Sequence, residues 1–295
     1  MIIKAVHSLN AEVKQEIRAL ENECAQADGC LYLTDLDDSI NRHKTMNHTF
    51  LCYEKHRLIA FLHLFAPTSS EAELSAFTLP EYRRNGYFSA LLLRTLEELN
   101  DYHIPDLLFV SQPKYPENRI IRHYGAIHDF SEYVMSLELK NDTKQHQSKS
   151  GLEIKEQRID DLQQLIDVNV SAFEDGREEA QHLIEMTLLS SNRQGYSATM
   201  NGEIIGVCNV RFDGIEAFLF GLGIHKDWQG KGVGFSFLGM ILEQLLSSHA
   251  KIVKLEVESR NEAAFHLYQK FGFTPNETIN YDRVHVKDLK EFINE

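Results

Sequence analysis

Apolar and polar positions along the chain follow one grammar, used twice. MIIKAV (1–6) and LEIKEQ (152–157) each read as a short opening strand. Amphipathic stretches with a near-3.6-residue apolar period come next: AEVKQEIRALENECAQ (11–26) in the first half, then DDLQQLIDVNVSAF (160–173) and EEAQHLIEMTLL (178–189) in the second. A β-hairpin is predicted after them. In GYSATMNGEIIGVCNVRF (195–212) the dipeptide Asn201-Gly202 marks a two-residue turn, and TFLCYEKHRLIAFLHLF (49–65) makes the equivalent hairpin with a longer turn. A further strand then runs into a glycine turn and a long helix, in AELSAFTLPEYRRNGYFSALLLRTLEEL (72–99) and in EAFLFGLGIHKDWQGKGVGFSFLGMILEQL (216–245).

Gly86 and Gly232 stand 146 positions apart, and the YGA and FGF turns at Gly125 and Gly272 keep almost that spacing. The chain is therefore read as an internal duplication. Residues 1–140 form the first domain, the polar stretch NDTKQHQSKSG (141–151) a linker, and residues 152–295 the second domain. Both are α/β, with a mixed twisted sheet flanked by helices.

Composition narrows the function more than the fold. The 295 residues carry 30 basic and 44 acidic side chains, a net charge of −14, which disfavours a broad nucleic-acid surface or an anionic-membrane surface. The acidic excess falls on both halves and fits a cationic partner. Cys24, Cys30, Cys52 and Cys208 show no CxxC spacing and read as reduced thiols of a cytoplasmic protein. The first twenty residues lack a signal-peptide pattern, and no apolar run approaches the ~18 residues of a membrane span. The fourteen histidines form no HExxH or paired ligand spacing, so no metal is expected.

The chemistry concentrates in HKDWQGKGVG (225–234), between an apolar strand and an apolar helix. A strand, a glycine turn and a helix N-terminus together make an anion site: free N–H groups and the helix dipole face the ligand, and glycine lets the backbone come close. The Walker pattern GxxxxGK[ST] is absent. The dinucleotide pattern fails at Phe237, where a third glycine belongs. Lys231 and Arg84, set in the two turns, read as phosphate-screening charges, and Trp228 as a packing residue beside the second turn.

Gln229-Gly230-Lys231-Gly232-Val233-Gly234 resembles the Q/R-x-x-G-x-G/A signature of the GCN5-related N-acetyltransferases, LGIHKDW (222–228) resembles the fourth strand of that family, and RNEAAFHLYQKFGF (260–273) resembles its second motif. The resemblance implies acetyl-CoA as co-substrate. Gln229 to Gly234 would hold its pyrophosphate, and the backbone of Leu222, Gly223 and Ile224 would meet the pantetheine arm and acetyl carbonyl. Asn261 would lie near the pantetheine, with Tyr268 facing the thiol sulfur. In the first half Thr78, Arg83, Arg84, Asn85 and Gly86 occupy the matching positions, but Phe88 stands where the family has glycine or alanine. Ile121 falls where the second half has Tyr268.

Acyl transfer from a thioester needs a neutral amine, a stabilised oxyanion and a proton for the departing thiolate. Tyr268 is the candidate acid. Glu216, on the strand leading to the turn, is the candidate base. The reading is N-acetylation of a small-molecule or peptide amine by the second domain, with a degenerate first domain. The other reading is an acyl-CoA-binding or sensing module without turnover.

Overall fold

The computed structural model describes residues 1–29, 33–113, 118–140, 149–174 and 176–293, with the side chains of 118, 119 and 290–293 left aside. In chain order the elements are β1 (Ile2–Val6), α1 (Ala11–Asp28), β2 (Thr49–Glu54), β3 (Arg57–Phe65), β4 (Glu71–Thr78), α2 (Tyr87–Asp101), β5 (Asp106–Ser111), α3 (Asn118–His123) and β6 (Ile127–Glu138). There follow β7 (Leu152–Glu156), α4 (Leu162–Phe173), α5 (Arg177–Leu189), β8 (Arg193–Met200), β9 (Glu203–Asp213) and β10 (Glu216–Ile224). The chain ends with α6 (Val233–Leu246), β11 (Ile252–Glu258), α7 (Glu262–Lys270), β12 (Thr274–His285) and α8 (Val286–Ile293). No helix among the described residues is long and apolar enough to cross a membrane.

Two compact units result, and they divide the chain differently from a cut at 141–151. The first comprises residues 1–131 and 278–295, the second residues 132–277. Each half lends the other its closing strand. In the first unit the strand order is β1-β2-β3-β4-β5-β12, with Asn280–His285 of β12 antiparallel to β5. In the second it is β6-β11-β10-β9-β8-β7, with Glu132–Glu138 of β6 antiparallel to β11. A strand's alternating pattern records which faces are buried but not which neighbour it pairs with, so the exchange left no mark in the periodicity. Residues 141–148 of the expected linker lie outside the described residues.

Within each unit one pair of strands is parallel and joined through a helix, a βαβ crossover. Glu71–Leu74 of β4 pair with Asp106–Phe109 of β5, and Glu216–Leu219 of β10 pair with Ile252–Leu255 of β11. In both units the first of these strands runs on for several residues after the pairing ends, and the glycine turn lies just beyond it.

Helix α6 shows why the pairs hold together. Val233, Phe237, Leu238, Ile241, Leu242 and Leu245 are buried on one face against Ala217, Leu219, Val253 and Leu255 of the sheet. Each such side chain contributes roughly 1.5–3 kcal/mol through removal from water. Phe237→Ala would cost about 3–5 kcal/mol by emptying that layer.

Both hairpins close with two residues. Asn201 and Gly202 have φ of 53° and 85°, and Lys55 and His56 have φ of 47° and 68°. The longer turn expected in the first half is corrected. Pairing of Glu54 with Arg57 leaves only two residues for the turn, and the hairpin twist requires positive φ at both. Lys55 and His56 accept that strain although neither residue type signals it.

Candidate functional site

The second unit builds its site from the end of β10. Between Phe220 and Gly223 the register with β9 slips: Phe220 faces Asn209 and Gly223 faces Val207, so Gly221 and Leu222 share one partner position. Gly221 takes φ +60°, the mark of a bulge. On the other edge, pairing with β11 has ended at Leu219. The β10 backbone from Phe220 to Ile224 thus presents an edge that an extended ligand arm can pair with. Gly223 is required by close packing, since a Cβ there would lie 2.6 Å from the Phe173 ring and 2.8 Å from Ala172 Cβ on α4.

The chain then makes a short 3₁₀ turn (Lys226–Trp228) and enters the glycine turn. Gln229 does not reach outward. Its Nε2 donates to the Ile224 carbonyl at 2.9 Å and clips the turn to the strand end. Gly230 and Gly232 have φ of 69° and 76°, and a Cβ on either would meet nothing within 4 Å. Within the protein itself, glycine is needed here for the left-handed backbone rather than for room. Gly234 has ordinary clearance, with Ile224 Cγ1 3.6 Å and Leu267 Cδ2 3.9 Å from its Cβ position.

Gly232 is the N-cap of α6 and no side chain caps the helix. The N–H groups of Gly232, Val233 and Gly234 find no acceptor among the described residues. They stand at the positive end of the helix dipole. Lys231 Nζ sits 5.5 Å from the centre of the Trp228 ring, giving Trp228 a cation–π role in the turn. This arrangement fits a pyrophosphate: unpaired N–H donors, an uncapped helix and a nearby ammonium.

Asn261 is the N-cap of α7, and its side-chain oxygen accepts the Ala264 N–H at 3.1 Å. Tyr268, about two turns further on, packs edge-to-face with Phe273. Its ring is buried. Its hydroxyl has no hydrogen-bond partner among the described residues and is not among the atoms sealed from solvent. Burial, with buried Cys208 nearby, raises its pKa and keeps it a phenol. Glu216 is set apart. It lies at the opposite end of β10, about 20 Å along the strand from Gly223, and its Oε2 pairs with Lys254 Nζ at 2.7 Å. The sequence placed Glu216 on the correct strand, but the strand's length puts it out of reach of the turn.

The first unit repeats the turn in backbone and spends its side chains differently. Arg83 Nε donates to the Thr78 carbonyl at 3.0 Å, and its Nη1 and Nη2 bind both oxygens of Asp28 at 2.8 and 2.7 Å. Asn85 Nδ2 donates to the carbonyls of Tyr82 and Arg83. Arg84 is exposed with φ +60°, and Gly86, φ +80°, caps α2. Beside this turn lies a cavity of about 1120 Å³, lined by Phe77, Tyr87, Phe88, Phe109, Ile121 and Tyr124 among others. Phe88 lines it, with its ring edge-on to Tyr124 at a centroid distance of 5.6 Å. The Tyr124 hydroxyl and Ser89 Oγ are 2.8 Å apart on the cavity wall. No local pattern signals this pair, or Asn209, whose side-chain oxygen is buried without a hydrogen bond beside the bulge.

Known proteins share part of this sequence and this fold. Residues 159–273 match the model of the acetyltransferase (GNAT) family. An acetyltransferase of Pectobacterium atrosepticum is 25% identical over 91 residues, which are 31% of this chain and 64% of that protein. The chain therefore matches less than two thirds of that relative's length. A GCN5-related N-acetyltransferase from Sphaerobacter thermophilus shares the fold with a TM-score of 0.77 at 15% identity, over 97% of this chain and 95% of that one. A tandem GNAT protein from the clavulanic acid biosynthesis pathway does so with a TM-score of 0.70 at 15% identity, over 97% and 99%.

Proposed function

Residues 159–273 match the acetyltransferase (GNAT) family model, and from that premise we propose that the chain is a member of that family whose second unit transfers an acetyl group from acetyl-CoA to an amine. The observation that carries the reading is the glycine turn at the open end of β10, with three N–H groups lacking acceptors at an uncapped helix. Gly232, Val233 and Gly234 bind the pyrophosphate through those N–H groups, with Gly230 and Lys231 completing the turn. Leu222, Gly223 and Ile224 offer strand backbone to the pantetheine arm and the thioester carbonyl. Asn261, whose carboxamide oxygen caps α7, has its NH₂ left to face the arm.

The amine attacks the thioester carbon as the neutral base. The developing oxyanion is met by backbone N–H groups at the β10 bulge. Collapse of the tetrahedral intermediate breaks the C–S bond. Tyr268 gives its proton to the sulfur, the nitrogen of the new amide loses one to solvent, and the tyrosinate takes one back from solvent, which restores the phenol. Its raised pKa suits the role, since it arrives protonated at every pH where the amine reacts. With Glu216 tied to Lys254, the reading assigns no carboxylate base, and the rate rises with pH toward the pKa of the acceptor amine, about 10.4 for an alkylamine. The net charge of −14 favours a cationic small molecule or peptide amine as acceptor.

The first unit is proposed to hold coenzyme A weakly or not at all. Thr78, Arg83 and Asn85 are occupied in holding their own turn, and Ile121, which lines the cavity, has no proton to donate. Release of free coenzyme A thiol from acetyl-CoA in the presence of an amine panel tests the reading. Binding without release in every case would favour an acyl-CoA sensor instead.

A further inference from the structure

The segment entering β7 touches the glycine turn through a residue that no part of the motif includes. Lys149 is held at three points. Its N–H donates to Ser236 Oγ at 3.0 Å, its carbonyl accepts the Leu152 N–H at 3.0 Å, and its Nζ donates to the Lys231 carbonyl at 2.8 Å. Ser236 is buried on the first turns of α6, so Lys149 is fixed to the helix whose N-terminus faces the ligand. Ordering a lysine stem costs side-chain entropy, and a second cation near the positive end of a helix adds repulsion. Among the described residues neither lysine has an ion-pair partner. In a chain of net charge −14, an ordered ammonium held on a turn carbonyl rather than on a carboxylate points to a role for that carbonyl's peptide.

The contact has a direction. In a trans peptide the C=O and the following N–H point opposite ways. The Lys231 carbonyl, turned toward Lys149, therefore turns the Gly232 N–H to the other side. Gly232 has φ +76°, and a peptide before such a glycine is free to flip unless something holds it. An ammonium on the carbonyl also strengthens the N–H of the same peptide as a donor. Resting on the acetyl-CoA reading above, we infer that Lys149 is a positioning residue of the phosphate turn, holding the Lys231–Gly232 peptide with its N–H toward the pyrophosphate. The first unit does without it. There Asn85, the counterpart of Lys231, holds its turn through its own side chain.

The test measures binding rather than turnover, by calorimetry with coenzyme A and with S-acetylpantetheine, which carries no phosphate. Lys149→Met should weaken coenzyme A about ten-fold, and Lys149→Arg should restore affinity to within about three-fold. S-acetylpantetheine affinity should not change in either variant. Coenzyme A binding by Lys149→Met at the wild-type level would overturn the inference, as would equal weakening of both ligands. Lys149→Gln, which keeps a donor without the charge, should fall between Met and Arg, and provides the reading if the Met variant fails to fold. Gly232→Val separates the two levels: loss of coenzyme A there with none in Lys149→Met sinks only the role of Lys149. A wild-type protein that does not bind coenzyme A sinks the acetyl-CoA reading with it.

Discussion

The two glycine turns, at the starts of α2 and α6, run through nearly the same backbone angles. Arg83 and Gln229 have φ, ψ of −65°, 157° and −67°, 157°, and the caps Gly86 and Gly232 have 80°, 3° and 76°, 5°. Arg84 takes φ 60° where Gly230 takes 69°. Even the clip is shared, Arg83 to the Thr78 carbonyl and Gln229 to the Ile224 carbonyl. The two turns differ in what their side chains do. In the first unit the arginine is locked by Asp28, Phe88 stands in place of Gly234, and Tyr124 and Ser89 pair on the cavity wall. In the second unit Phe235 and Phe271 make an apolar pair, and a tyrosine hydroxyl is left without a partner. A duplicated backbone thus preserves an anion-ready turn after its side chains have diverged, so the turn alone does not identify the working site.

Four changes probe that difference, beginning with the largest expected effect. Tyr268→Phe should lower turnover about 10²–10⁴-fold under single-turnover conditions, with coenzyme A affinity nearly unchanged, because the ring packing stays and only the acid is lost. Gly234→Phe, which gives the second turn the residue of the first, should weaken coenzyme A about 100-fold by calorimetry. Gly234→Ala should bind within about three-fold of wild type, since its Cβ position has ordinary clearance.

The third change is acid, and it acts on the first unit. Burial pushes the pKa of His63 down to about 3 and lowers that of His48 as well. Below about pH 6.5 the unfolded chain takes up these protons and the folded chain does not. The stabilisation is complete above pH 6.5 and is lost as pH falls toward 3, by up to about 1.4 kcal/mol per pH unit per group. Hydrogen exchange at pH 7 and pH 5 should show residues 49–65 losing protection faster than residues 195–212, and His63→Leu should flatten the dependence. The smallest effect belongs to Glu216→Gln. Its ion pair with Lys254 is about two-fifths exposed on each side, so stability should fall by less than about 1 kcal/mol and turnover should stay within about three-fold.

Much of the site was legible in the sequence because backbone demands leave residue-type traces. Gly232 and Gly230 announce positive φ, Asn201-Gly202 announces its hairpin, and the 146-residue spacing announces the duplication. Side-chain partners leave no such trace. Nothing local to Arg83 says that Asp28, 55 residues away, neutralises it, nor that Lys149 reaches Lys231 across 82 residues. Glu216 looked chemical from its strand, and only the strand's length removes it from the turn. The exchange of β6 and β12 was hidden for the same reason: pairing is a property of two segments, and the pattern of one segment reports only its own burial.

The central claim, that the second turn is the coenzyme A site and the second unit the catalyst, is tested most directly by Gly86→Val and Gly232→Val assayed side by side for coenzyme A stoichiometry and acetyl transfer. A β-branched residue forced to φ near +80° strains either turn to the same degree, and neither Cβ meets another atom within 4 Å. The two variants therefore differ only in which turn is disturbed. The account predicts that Gly232→Val loses both tight coenzyme A binding and turnover, while Gly86→Val keeps both. Turnover abolished by Gly86→Val and spared by Gly232→Val would contradict it.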